Sequence, residues 1–168
     1  MCNPGAAMRF LTSVVFLAAA VPTLAVARNV YDSHFAGAGN HACFVRSYDN
    51  DHLAKHPQQQ VTQIGVMISP LGGDSAEPML DVFVAFRGTG FEYHGLGYCR
   101  RVGDALACQM EGDAGSFTLT GQKNHKILLT VGRDDLSFEG ETDFRTLSGS
   151  SGDDRSFLLP SLPADLCY

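Results

Sequence analysis

The chain has 168 residues, of which 12 are basic and 18 acidic, giving a formal net charge of −6. Without clustered Lys or Arg to neutralise phosphates, that balance excludes nucleic acid and anionic lipid surfaces as expected partners. The length allows one domain with its own core.

Arg9 is the only charge in residues 1–27, and it precedes the apolar run Phe10–Val21, which Pro22 ends. Ala25-Val26-Ala27 offers small residues where a signal peptidase needs them, so residues 1–27 read as a secretory signal cleaved after Ala27. A membrane span would need about 20 uninterrupted apolar residues, so no span is expected after cleavage. Cleavage removes Arg9 from the 12 bases, leaving 11 against 18 acids and a net charge of −7 on residues 28–168.

The signal takes Cys2 and leaves Cys43, Cys99, Cys108 and Cys167. An even number in an oxidising compartment reads as two disulfides, which three connectivities could satisfy. Residues 99–108 are symmetric about Gly103-Asp104, and Gly at the first central position suits a two-residue type II′ hairpin turn. Pairing Val102 with Ala105 then sets Cys99 opposite Cys108 at a non-hydrogen-bonded pair, where side chains come closest. Cys43 and Cys167 are left to each other. No Cys-x-x-Cys occurs to suggest redox catalysis.

Along the chain, residues 28–42 carry Gly37, Gly39, Asn29 and Asn40 without an apolar period and read as a flexible leader into a single β domain at 43–168. Asp49 to Pro57 offers an N-cap and a stop, predicting the one short helix. Apolar residues then recur with period two at Ile64–Ile68, Leu80–Phe86, Leu106–Met110, Phe117–Leu119, Ile127–Val131 and Leu136–Phe138, the pattern of half-buried strands. Gly-rich turns separate them. Residues 142–156 read as an exposed loop, with a last strand at Phe157-Leu158-Leu159. The fold class is mainly β: a small antiparallel barrel or sandwich with one short helix and two disulfides.

Candidate chemistry is sparse. His52 and His56 stand four apart and could share a metal on a helix, but the glutamate of His-Glu-x-x-His is absent, and a helix C-terminus attracts cationic His without any metal. No Gly-x-Ser-x-Gly, P-loop or dinucleotide fingerprint is present. Catalytic, cofactor-binding and metal residues are therefore left unassigned, and no cofactor is expected. Arg87, Phe91, Tyr93, Tyr98 and Arg100 form an aromatic and arginine-rich stretch that reads as a binding loop, since both residue types dominate interface energetics.

The stretch Cys43-x-x-Arg46-x-Tyr48-x-x-x-His52-Leu53-x-x-His56-Pro57, followed by Val61 and Ile64, resembles the opening of uncharacterised exported proteins of Gram-negative bacteria. The resemblance implies a periplasmic or secreted address and no particular activity. The expectation is a non-enzymatic binding module for a protein, glycan or small ligand. The alternatives are a metal-binding protein or metal-dependent enzyme using His52 and His56, and an envelope structural protein.

Overall fold

The computed structural model describes residues 29–36, 43–71, 77–90, 92–163 and 166–167; the expected signal at 1–27, residues 37–42 of the leader and Phe91 lie outside them. The described residues form nine strands: β1 (Cys43–Ser47), β2 (Val61–Ile68), β3 (Met79–Phe86), β4 (Glu92–Val102), β5 (Ala105–Met110), β6 (Gly115–Gln122), β7 (Lys126–Glu139), β8 (Phe144–Leu147) and β9 (Ser156–Leu162). Strands β1 to β7 pair in chain order, β7 pairs with β9, and β9 returns to β1, so eight antiparallel strands close a barrel. Strand β8 stands outside the closure on the second half of β7. Closure leaves the eight strands without a free edge along their paired lengths.

Period two builds the interior. Ile64, Leu80, Val82, Val84, Leu106 and Leu119 point inward with no measurable exposure, and Ile127 and Leu129 of β7 and Leu159 of β9 join them in one cluster. The barrel centre is thus a packed side-chain core. Strand β7 accounts for both of the predicted segments 127–131 and 136–138: it bends between them, where Asp135 takes φ +50°. Its second half then reaches β4, where His94 pairs with Glu139.

Residues 29–36 differ from a loose leader. They form a short helical turn, Tyr31–Phe35, that closes one barrel end. Asn29 donates through Nδ2 to the carbonyls of Gly103 (2.9 Å) and Ala105 (2.8 Å), and Phe35, fully buried, packs on Phe44. Arg101 forms a two-pronged pair with Asp32 at 2.8 and 2.9 Å and covers the Tyr31 ring. The apolar residues here, Val30, Tyr31 and Phe35, follow no strand or long-helix period, because they plug a round opening rather than line a sheet.

The predicted helix is α1 (Asn50–Lys55), with Asp49 capping the backbone N–H of His52 at 2.7 Å. The β4–β5 hairpin has the expected register: Val102 faces Ala105 and Cys99 faces Cys108. Gly103 takes φ +61° and Asp104 is not in the left-handed region, as a type II′ turn requires. Both disulfides are formed, Cys99–Cys108 with Cα atoms 4.0 Å apart and Cys43–Cys167 with Cα atoms 6.3 Å apart. Among the described residues no helix is long and apolar enough to cross a membrane.

Candidate functional site

Alternation has two faces, and the outward face of β1 to β4 is unusual in being partly apolar. Three rows of residues cross these strands. One runs Cys43, Met67, Asp81, Leu96; the next Val45, Gly65, Phe83, His94 and on to Glu139 of β7; the third Ser47, Gln63, Ala85, Glu92. In the third row Ser47 donates to Gln63 at 3.1 Å and Gln63 donates to Glu92 at 2.9 Å.

The middle row makes a groove. Gly65 has no side chain, and the Phe83 ring lies across it where a Cβ would sit. Phe83, Val45 and Met67 are 6–7 % exposed and form a cluster separate from the barrel core, joined by Leu162 and Cys167. The Cys43–Cys167 disulfide fastens Leu166 and Cys167 beside this cluster. On the opposite side rises the turn after β7, Glu139-Gly140-Glu141. The groove between has a volume of about 1080 Å³. Asp81, Glu92, Glu139 and Glu141 line it, with His94 and without any Lys or Arg among its described lining.

The residues read as a binding loop are spread over distinct places. Tyr93 is fully buried in the barrel, where its hydroxyl donates to Asp143 at 2.8 Å and stands 3.4 Å from Nε of Arg145. Asp143 closes the β7–β8 turn by presenting its carbonyl to the Gly140 N–H at 2.8 Å, so Tyr93 anchors the groove wall from inside. Arg87 donates to the carbonyls of Gln59 (2.6 Å), Leu53 (2.6 Å) and His56 (2.9 Å), tying the end of α1 to the barrel. Tyr98 and Arg100 project from β4 onto a different part of the outer surface, a smaller depression of about 750 Å³ with Gln109 and Thr118. The stretch is mostly strand, so alternation sends its neighbours to opposite faces.

His52 and His56 stack with ring centroids 4.4 Å apart and planes 18° from parallel, and Tyr48 packs on His52 at 4.7 Å with its plane tilted by 32°. Nε2 of His52 meets Oε1 of Gln59 at 3.0 Å. Lone pairs lie in the ring planes, so stacked rings aim their nitrogens side by side rather than at one point. Among the described residues no three His, Cys, Asp or Glu side chains are grouped to hold a metal ion.

Nearby, Asp154 is buried and accepts the backbone N–H of Gln60 at 2.6 Å and of Val61 at 3.4 Å. Burial raises its pKa; those two hydrogen bonds and Arg87 pull against that, and Asp153 adds to it. Burial likewise raises the Tyr48 phenol, opposed by Arg46. Both groups organise the 48–61 segment and lie apart from the groove lining.

Sequence reading missed the groove because it followed the buried positions of each strand. Its signal was the interruption of alternation: Gly65-Val66-Met67 and Val82-Phe83-Val84 place apolar or small residues at outward positions as well. Compared with protein-family models, curated proteins and solved structures, the chain matches none.

Proposed function

We propose that this chain is an exported, non-enzymatic binding module, stabilised by two disulfides, that holds its ligand on the outward face of β1 to β4. The observation that carries the reading is the groove over Phe83 and Gly65. The barrel interior is filled, so ligand has to bind outside it, and this face combines an apolar floor with a polar rim, the composition of a ligand site. The described lining contains no hydroxyl or free thiol, Cys167 being disulfide-bonded, so Ser-, Thr- or Cys-type covalent catalysis finds no nucleophile there. The signal-like residues 1–27 and the pairing of all four remaining cysteines support an oxidising compartment, periplasmic or extracellular.

The test is native mass spectrometry of the protein recovered from its own compartment, beside a Leu96→Arg variant. Leu96 is half-buried in the groove lining and outside the barrel core, so the change obstructs the face and spares the fold. An added mass on the wild-type protein and its loss from the variant is the expected result. The same mass on both would contradict the assignment.

A further inference from the structure

We infer that the occupant of this groove is a cationic, partly apolar peptide segment in extended conformation; the inference rests on the groove being the binding face. Three features select that class. The first is charge. Four carboxylates line the groove, with no Lys or Arg among its described lining, so an anionic guest would be repelled and a cationic one attracted. The second is their distribution. Asp81 and Glu92 lie in the rows on either side of Phe83 and His94, while Glu139 continues the middle row beyond His94. Charges spread this way match several cations along a chain better than one compact ammonium.

The third is length and floor. The row from Val45 to Glu139 crosses four inter-strand spacings of about 4.8 Å, roughly 19 Å, which about six extended residues at ~3.3 Å each would span. Leu96 and Leu166 in the lining, with Phe83 beneath, give branched apolar side chains a surface that the thin methylene linkers of a polyamine would cover less fully. Lys and Arg combine an apolar stem with a charged head, and so satisfy floor and rim together.

The experiment titrates the disulfide-bonded protein with short synthetic peptides alternating Lys with Leu, Gln with Leu, and Glu with Leu, and with spermine. The Lys–Leu peptide is expected to bind at least ~10-fold more tightly than the Gln–Leu peptide, and to weaken as salt shortens the Debye length to about 8 Å at 0.15 M. Asp81→Asn with Glu139→Gln and Glu141→Gln abolishes that preference, while Glu111→Gln with Asp113→Asn, outside the groove lining, leaves it intact. Equal binding of all three peptides, weakened alike by Leu96→Arg, would overturn the cationic class and leave the groove reading standing. Spermine binding as tightly as the Lys–Leu peptide would overturn the peptide class. Equal loss in the Glu111/Asp113 variant would overturn the assignment of the charge selection to the groove carboxylates, and a dimer formed through this face that the Lys–Leu peptide fails to break would overturn the peptide class. Absence of peptide binding, with the native ligand still lost in Leu96→Arg, would remove this inference alone; native ligand retained in Leu96→Arg would remove the function it rests on.

Discussion

The ring of Phe83 occupies the space over Gly65 that any other residue's Cβ would fill. The two are cross-strand partners on β3 and β2, so the missing side chain on one strand is what lets the large one on the other lie flat. Gly65→Ala is therefore expected to push the ring out of place and cost about 1–3 kcal/mol, as overpacking does. Urea denaturation checks it. The cost should shrink in a Phe83→Leu background, because contacting residues are not additive.

Tyr93→Phe removes one hydroxyl and little volume from the barrel. Its bond to Asp143 is charge-assisted, and loss of such a bond costs about 1.5–3 kcal/mol when the partner stays buried. Asp143 is 43 % exposed at its side chain and can turn to water, so the low end of that range is expected. The distinguishing readout is hydrogen exchange: amides of residues 139–147 should lose protection while those of β5 and β6 keep it.

The two disulfides should contribute unequally. Cys43 and Cys167 are 124 residues apart in sequence and Cys99 and Cys108 are 9 apart. Chain-entropy arguments give the long bridge up to about 5 kcal/mol and the short one under about 3 kcal/mol. Replacing each pair by alanines and comparing denaturation midpoints tests the order. The long-bridge variant should also bind groove ligand more weakly, since Cys167 forms part of the groove's edge.

Asp154 sets a pH dependence of definite sign. Burial raises its pKa above the ordinary value of 3.8, so the folded state holds the proton more tightly than the unfolded chain. Its contribution to stability is fully present below 3.8 and is lost as pH rises through the raised folded value. Asp154→Asn cannot ionise. The stability of wild type minus variant should therefore fall with rising pH through that window and level off above it; the check is denaturation of both proteins from about pH 3 to pH 7.

Much of the architecture was legible because it depends on local rules. Gly103-Asp104 and the symmetric cysteines set the hairpin register, Asp49 capped α1, and alternation located the inward rows of β2, β3, β5, β6 and β7. What local rules miss is geometry assembled across the barrel. Closure joins β9 to β1, and β1 is too short for its own alternation to stand out. Strand β4 carries Gly95, Gly97 and charged outward residues, so it reads as a loop although both its neighbours pair with it. The short β8, Phe144–Leu147, has one buried side chain, Leu147, and is held by β7 rather than by its own pattern. The groove depends on four strands in register plus a disulfide from the chain's end, and no single segment contains it. Tyr93 and Arg87 stood out by residue type, yet they serve as anchors for the wall and helix around it.

The most direct measurement is a residue-resolved map of amide chemical-shift changes in the protein with both disulfides formed as the Lys–Leu peptide is added. The groove account predicts changes concentrated at Val45, Gly65, Met67, Phe83, His94 and Glu139, absent in Leu96→Arg. Changes centred instead on Tyr98, Arg100, Gln109 and Thr118 would place binding on that other part of the outer surface and contradict it.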